Sequence, residues 1–342
     1  MSAPVDLTFD FGINFQSSAD RIKGESVERV ERGKNEIPYH HGFLDDLLRG
    51  ISRNDLIVIG AETGAGKTEF ARAIAASNAK SGRRVYYFAL EAEELEIERR
   101  TKFQILIDQL RGKADWDRIN YPDWYRGQLE DIFGDMNETA DRLFAMEYRN
   151  LHTYYRGSKF DHDDIKRLFL AIQSDAELII LDHLHYVDIE DENENRGFKK
   201  TVKMIRDVAL GIGRPVILIV HLRKRDLRAK SIVPDIEMVH GSSDIAKICT
   251  RAIMLAPARS MQNAKPHLSN TFFFVPKDRV GGATGLVALC TFDRGLRRYH
   301  DRYELGRMSA DGTEFEPLTR EQMPRWARRA YPGKQEAQSH GY

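Results

Sequence analysis

An apolar run, a glycine-rich loop and an amphipathic segment follow one another early in this chain, and together they restrict its fold more than any other feature. The run "LIVIG" covers residues 56–60, and the loop "AETGAGKT" covers residues 61–68. A loop between a buried strand and a helix directs its backbone N–H groups towards one point, where they can hold a phosphate group. Apolar side chains follow the loop at helical spacing, at Phe70, Ala71, Ile74 and Ala75.

The loop fits the phosphate-loop pattern of nucleotide-binding proteins, with alanine in place of the leading glycine. Lys67 would contribute positive charge at the β- and γ-phosphates of ATP, and Thr68 would ligate Mg2+. An ordinary glycine-rich turn is the alternative, but the flanking strand and helix favour the phosphate loop. The predicted nucleotide-binding residues of the loop are Ala61, Glu62, Thr63, Gly64, Ala65, Gly66, Lys67 and Thr68.

Short apolar runs alternate with amphipathic segments along most of the chain, which predicts an α/β fold with a mainly parallel sheet flanked by helices. Helices with an apolar stripe are predicted around residues 165–172 and 198–209. Turns near residues 281–282 and 294–295 predict antiparallel strands at the C-terminal end. The predicted strands cover residues 56–60, 84–90, 143–148, 177–182, 215–220, 251–256 and 271–275.

Two carboxylates follow predicted buried strands. Asp182 ends "ELIILD", where it could complete the shell of a nucleotide-bound magnesium ion, and capping of a helix is the alternative. Glu91 follows "RVYYFAL" and is a candidate base that activates water. Glu91 could equally belong to the acidic first turns of the next helix, and the spacing alone does not decide between these interpretations.

Three basic side chains complete the set of candidates. His221 closes the strand "VILIVH", where it could sense the γ-phosphate, and a structural histidine is the alternative. Lys277 and Arg279 lie on one face of a strand ahead of a glycine-rich turn. This pair is either part of a solvated surface or a set of fingers that reaches the nucleotide of a neighbouring subunit.

The charge of the chain is balanced, since 52 lysines and arginines face 52 aspartates and glutamates. No overall field therefore attracts nucleic acid or an anionic membrane. A local excess of cations over residues 196–230 nevertheless suits a phosphate backbone, with an ordinary solvated surface as the alternative. The sequence contains neither a secretion signal nor a membrane-spanning apolar run, so we expect a cytoplasmic protein without a membrane partner.

Taken in order, several segments resemble the ATPase domain of DnaB-like hexameric replicative helicases, especially the phage-type and mitochondrial Twinkle-like branch. The resemblance covers residues 39–301. It is carried by "HHGFLDDLLRGISRNDLIVIGAETGAGKTEFA", "FALE", "LIILDHLHYV", "VILIVHLRKRD", "VHGSSDIAKICTRAIML" and "PKDRVGGATGLVALCTFD". The segment similar to "FALE" ends in the catalytic glutamate of the family, which favours Glu91 as the base. The strand similar to "VILIVHLRKRD" carries the family's phosphate sensor, which implies that role for His221.

The resemblance implies a RecA-like P-loop NTPase that hydrolyses Mg-ATP between the subunits of a hexameric ring and translocates on single-stranded DNA in replication. Asp182 and Thr68 would hold the magnesium ion, and Lys277 and Arg279 would reach the γ-phosphate of the neighbouring subunit. A separate primase or loader would be a further partner, in the cytoplasm of a bacterium or a phage-infected cell. The candidate DNA-binding residues are Arg223, Lys224, Arg225, Arg228 and Lys230.

Two other functions remain compatible with these residues. A RecA-like recombinase or annealing ATPase shares the fold and the nucleotide site but forms filaments on DNA. A regulatory, loader or defence ATPase uses the same fold without unwinding, and its hydrolysis would not depend on DNA. The pattern of His221 with Lys277 and Arg279 favours the helicase.

Composition divides the chain into three parts. Residues 1–38 are polar, with one possible linker helix that has a thin apolar stripe. Residues 39–301 form the ATPase domain. Residues 302–342 are rich in glycine, proline and charge, which predicts a flexible C-terminal tail.

Overall fold

The computed structural model describes residues 17–62, 64–110, 118–189, 194–222, 232–234, 238–239, 245, 247–261, 263–282 and 284–330. The chain divides into two units, residues 1–36 and residues 37–342. The first unit contains helices α1 (Ser18–Arg21) and α2 (Glu25–Lys34), and neither helix buries a side chain. Ion pairs one turn apart support α2, such as Arg29 with Glu25 at 3.0 Å.

Within the described part of the second unit, ten strands form one sheet in the order β10-β9-β8-β7-β6-β1-β5-β4-β2-β3. The six strands from β6 to β3 in this order are parallel, and β7 to β10 are antiparallel, which confirms the predicted fold class. The strands are β1 (Leu56–Ala61), β2 (Val85–Ala89), β3 (Leu151–Tyr155), β4 (Leu178–Asp182), β5 (Val216–His221), β6 (Arg251–Pro257), β7 (Leu268–Asp278), β8 (Val287–Asp293), β9 (Arg298–Met308) and β10 (Phe315–Pro317).

Helices cover both faces of the parallel strands. Ile57 and Ile59 of β1 belong to one apolar cluster, whereas Leu56 and Val58 belong to a cluster on the other face. Strands buried on both faces read as continuous apolar runs, which is why the central strands could be predicted. The helices of this unit are α3 (Gly42–Leu48), α4 (Lys67–Lys80), α5 (Glu96–Leu110), α6 (Tyr121–Tyr125), α7 (Glu130–Phe133), α8 (Asn137–Glu147), α9 (His162–Ala171), α10 (Glu194–Ile212) and α11 (Arg325–Ala330).

Helix α9 shows how local sequence sets an element of this fold. Asp161 precedes the helix and accepts hydrogen bonds from the N–H groups of Asp163 and Asp164. The Asp164 side chain accepts in return from the N–H group of Asp161, which completes a capping box. Ile165 and Phe169 are buried one turn apart on the inner face of the helix. The helix predicted around residues 165–172 is therefore confirmed, although it ends at residue 171.

The strand predicted over residues 143–148 is wrong. These residues lie in α8 and at its C-terminal end, and the strand comes later, as β3. Leu143, Phe144 and Tyr148 pack in an apolar cluster with Phe133, and their spacing fits a helix as well as a strand. Strand β3 is at the edge of the sheet and is only partly buried, so its sequence "LHTYY" lacks a strong apolar signal.

The flexible tail predicted from residue 302 is also wrong as far as residue 330. Residue 302 lies inside β9, which pairs with β8 on one side and with β10 on the other. Met323 and Ala327 are then buried in the same apolar cluster as α3 and α4. The few apolar residues of this segment face the core, while its charged residues lie on exposed strands, so composition resembled that of a tail. None of the helices in the described ranges combines the length and apolar composition needed to cross a membrane.

Candidate active site

Four neighbouring parallel strands, β1, β5, β4 and β2, end at the same edge of the sheet. The register places Ala61 beside His221 and Ala89 beside Asp182. Glu91 follows two residues after Ala89. Because the carboxyl ends of parallel strands share one edge, the structure brings the phosphate loop, His221, Asp182 and Glu91 together there, as the positions of these residues at strand ends predicted.

The phosphate loop turns sharply at two glycines and leads into α4. Gly64 and Gly66 have φ angles of +84° and +79°, in the region that favours glycine. At Gly66 a Cβ atom would also lie 2.7 Å from the Tyr299 hydroxyl, which donates a hydrogen bond to the Ala65 carbonyl. Helix α4 begins at Lys67, and the first N–H groups of a helix have no intrahelical acceptor, so they can bind an anion.

The other predicted loop residues occupy different surroundings. Ala61 ends β1 and is fully buried. The Glu62 carboxylate lies 3.0 Å from the Arg259 guanidinium. Thr68 is the second residue of α4. Thr63 lies outside the described residues.

The Glu91 carboxylate contacts two nitrogen groups. Its Oε2 atom lies 2.8 Å from His183 Nε2 and 3.6 Å from Lys67 Nζ. The contact with His183 and the charge of Lys67 lower the pKa of Glu91 to about 2, although burial opposes them. Glu91 is therefore ionised at neutral pH, and its basicity would increase if either neighbour moved away.

Asp182 is almost completely buried at the end of β4. The Tyr87 hydroxyl donates to its Oδ2 atom at 2.7 Å, whereas Oδ1 has no hydrogen-bond partner among the residues that the structure describes. Burial raises the pKa of Asp182, and Tyr87, Lys67 and His183 oppose this effect. A carboxylate oxygen without a protein partner has lone pairs available for a hydrated cation, so the residues present fit a magnesium site with Thr68 and Asp182.

Three histidines cluster at the same edge. The ring centroids of His183 and His221 are 4.1 Å apart, and the His185 ring lies 5.6 Å and 5.7 Å from them. Burial and the neighbouring charges of His183 and Lys67 lower the pKa of His221 to about 4, so its ring is neutral at pH 7. The sequence analysis missed His183 as a site residue, although it directly follows Asp182 at the same strand end.

Lys277 and Arg279 lie at the opposite end of the strands. Arg251 pairs with both Ile57 of β1 and Asp278 of β7, so this segment is level with the start of β1. The phosphate loop begins four residues further on, about 13 Å away along the strand. The structure therefore does not bring Lys277 or Arg279 to the phosphate loop of their own chain.

A buried ion network holds this segment. Arg251 lies 3.2 Å from the Asp278 carboxylate and 3.1 Å from that of Asp55. Asp278 also accepts hydrogen bonds from the N–H groups of Val280 and Gly281, at 3.2 Å and 3.0 Å. The middle residue of "KDR" thus fixes the backbone between Lys277 and Arg279, a contribution that the sequence analysis did not identify.

A second network lies behind the phosphate loop, in the first turn of α4. The buried Glu69 carboxylate is within 3.0 Å of Arg72, within 2.9 Å of Arg100 and within 2.6 Å of Arg297. Burial acts to raise the pKa of Glu69, but the three arginines outweigh it and lower the pKa below its usual value. Arg297 also lies over the Tyr121 ring, at 4.8 Å from its centroid. This network ties α4 to α5 and to the turn between β8 and β9.

The candidate DNA-binding residues cannot be placed in this way. They follow directly after β5 in the chain, and all of them lie outside the described residues. These are Arg223, Lys224, Arg225, Arg228 and Lys230.

The parallel sheet and the loop ahead of α4 define an α/β nucleotide-binding ATPase with a RecA-like arrangement of strands. Residues 37–301 match the family model of the DnaB-like helicase C terminal domain. Because this match spans more than half of the chain, the protein belongs to the DnaB-like helicase C-terminal domain family, whose members are ATP-hydrolysing DNA helicases. The predicted resemblance is confirmed.

Solved structures with the same fold support this assignment. One is a single ATPase domain; it has a TM-score of 0.64 and 16% identity, over 83% of this chain and 99% of that chain. Another shows a DnaB-like replicative helicase and its interactions with primase, with a TM-score of 0.61 and 16% identity, over 84% of this chain and 67% of that chain. At this identity the similarity shows the fold alone. No curated protein matches the chain in sequence.

Proposed function

We propose that this protein is an ATP-driven motor that translocates along single-stranded DNA in replication and hydrolyses Mg-ATP at the interfaces of a six-membered ring. One observation carries the proposal. Lys67, Glu91, Asp182 and His221 meet at one edge of the sheet, whereas Arg279, a residue that the family resemblance assigns to the same reaction, lies at the opposite end. An active site divided in this way is complete only when a second subunit is present.

Nucleotide binding would change the partner of Lys67. In the structure Lys67 is paired with Glu91 at 3.6 Å. A triphosphate at the N-terminus of α4 would attract the lysine through several anionic oxygens. Because the charge of Lys67 helps to lower the pKa of Glu91, the loss of this contact would raise that pKa. ATP binding would therefore prepare Glu91 to accept a proton from water.

The remaining residues have complementary roles. Thr68 and Asp182 would hold the magnesium ion, which neutralises part of the phosphate charge when it is bound. Glu91 would orient and deprotonate the attacking water. His221, as a neutral ring at the end of β5, would detect the γ-phosphate. Because β5 leads directly into the segment with the candidate DNA-binding residues, departure of the phosphate would be transmitted to the DNA.

Lys277 and Arg279 would complete the nucleotide site of the neighbouring subunit. Arg279 is exposed, and together with burial its charge lowers the pKa of the Arg206 guanidinium, so positive charge accumulates at this end of the sheet. The Arg251–Asp278 network would hold both cations in place. Positive charge from a second subunit would stabilise the charge that develops on the transferring phosphoryl group.

We expect two inactive variants to restore each other. Lys67→Ala lacks the lysine at the phosphates and Arg279→Ala lacks the finger, so each alone should hydrolyse ATP at least about 100-fold more slowly than wild type. In a mixed ring, the intact loop of an Arg279→Ala subunit can meet Arg279 of a Lys67→Ala neighbour. Hydrolysis measured with single-stranded DNA should therefore reappear when the variants are mixed.

The control replaces the Arg279→Ala partner with the double variant Lys67→Ala/Arg279→Ala, which offers no intact loop and should restore nothing. If co-assembly is verified and mixing still gives no recovery, the shared active site is contradicted. Hydrolysis that recovers but ignores DNA would indicate a remodelling ATPase. Stoichiometric coating of the DNA would indicate a recombinase.

We also propose how this motor domain is connected and where it acts. The helices of residues 17–36 would link the motor domain to neighbouring subunits. A separate primase or loader would bind the ring, and the solved DnaB-like helicase with its primase interactions supports such a partner. Replication places this activity in the cytoplasm of a bacterium or a phage-infected cell.

A further inference from the structure

We propose that Glu91, His183 and His221 form a binding site for a divalent transition-metal ion such as Zn2+, separate from the magnesium site of Thr68 and Asp182. Occupancy of this site would block ATP hydrolysis. The blocking effect rests on the proposed function of Glu91 as the base, whereas metal binding itself does not.

The three side chains are close enough to share one ion. One donor atom from each lies within 4.8 Å of the other two. Glu91 Oε2 and His183 Nε2 are 2.8 Å apart, and the rings of His183 and His221 are 4.1 Å apart at their centroids. Donor atoms around a tetrahedral zinc ion are about 3.4 Å apart, given metal–ligand distances near 2.0–2.2 Å. A small rotation of the side chains is therefore sufficient to close the site.

The chemistry of the donors selects the metal. Two imidazoles and one carboxylate suit Zn2+ or Co2+, whereas Mg2+ prefers oxygen ligands and retains its water. Three protein ligands leave a fourth position open, as in zinc sites that keep a bound water. The Glu91 side chain is 41% exposed, which provides a route for an ion from solvent.

His183 supplies an independent reason to expect a ligand. Its side chain is 1% exposed, and both ring nitrogens are buried without a properly oriented hydrogen bond to any residue in the described ranges. Buried polar atoms without partners are rare because they carry a desolvation cost. A metal ion between His183 and Glu91 would give one of these nitrogens a partner.

Binding of the metal would inactivate the base. A Glu91 oxygen that donates its lone pair to a metal ion cannot take a proton from water. One equivalent of Zn2+ should therefore slow ATP hydrolysis by at least about 100-fold, the contribution expected of a general base. Removal of Zn2+ by a chelator should restore the rate.

The test is a titration of the nucleotide-free protein with Co2+, which absorbs visible light when it is bound in a tetrahedral nitrogen and oxygen site. We expect the absorption to saturate at one ion per chain, to disappear when Zn2+ is added, and to persist in an excess of Mg2+. His183→Gln and Glu91→Gln should each abolish it. His267→Gln removes an exposed histidine that is outside the group of three, and it should leave the absorption unchanged.

Persistence of the absorption in Glu91→Gln, or its loss in His267→Gln, would overturn the proposal. Glu91→Gln keeps the test decisive even if replacement of the buried His183 prevents folding, because the Glu91 side chain is partly exposed. The result is also separable from the proposed function. Normal hydrolysis in Mg2+ without cobalt binding contradicts the metal site alone, and cobalt binding without any hydrolysis contradicts the motor alone.

Discussion

Replacing Glu91 with glutamine should slow ATP hydrolysis by about 100- to 10,000-fold, the usual contribution of a general base. The amide has nearly the same shape as the carboxylate but cannot accept the proton of the attacking water. Nucleotide binding should persist, and it should become tighter, because Lys67 loses the carboxylate 3.6 Å away that competes with the phosphates. Single-turnover hydrolysis and equilibrium binding of a fluorescent nucleotide measure the two effects separately.

Glu93→Gln is the matched control for this experiment. Glu93 is exposed and lies two residues further along the same acidic segment. If Glu91 were simply one of the acidic residues at the start of a helix, the two variants would behave alike. Nearly wild-type hydrolysis by Glu91→Gln would contradict its role as the base and would leave the pairing with Lys67 as a structural contact.

Replacing Glu69 with glutamine should destabilise the protein by about 3–5 kcal/mol, as is usual when one partner of a buried ion network is removed. Glu69 and Arg72 have side chains only 3% and 5% exposed, and Arg100 is 14% exposed. Their guanidinium groups would remain buried with less compensating charge. The denaturant midpoint of unfolding, compared at equal slope, measures the change.

Asp131→Asn provides the comparison for Glu69→Gln. Asp131 pairs with Arg118 at 2.9 Å, but both side chains are more than half exposed, so the loss should be within about 1 kcal/mol. Equal midpoints for Glu69→Gln and wild type would show that the network contributes no stability. The network would then serve only to position the start of α4 beside Lys67.

Much of the sheet could be predicted because its central strands are buried on both faces and therefore appear as apolar runs. The same reasoning placed Asp182, Glu91 and His221 at strand ends, and parallel pairing brought these ends together. Strand β3 could not be found in this way, because an edge strand needs no continuous apolar run. The segment after residue 302 was misjudged because an outer hairpin buries few side chains.

The contacts that support the site depend on residues far apart in the chain. Glu69 is placed in the first turn of a helix by its sequence, where a solvated acidic side chain would be ordinary. Only the fold brings Arg100 and Arg297 to its carboxylate. In the same way, no local pattern predicts that Arg251 fixes Asp278.

Strand separation of a forked DNA duplex by the purified protein tests most directly whether this ATPase is a DNA-translocating motor. The account predicts that wild-type protein displaces the strand with Mg-ATP, and that Lys67→Ala, or wild type with a non-hydrolysable analogue, does not. ATP hydrolysis that depends on Lys67 without displacement, on forks that carry either a 5′ or a 3′ single-stranded tail, would contradict it.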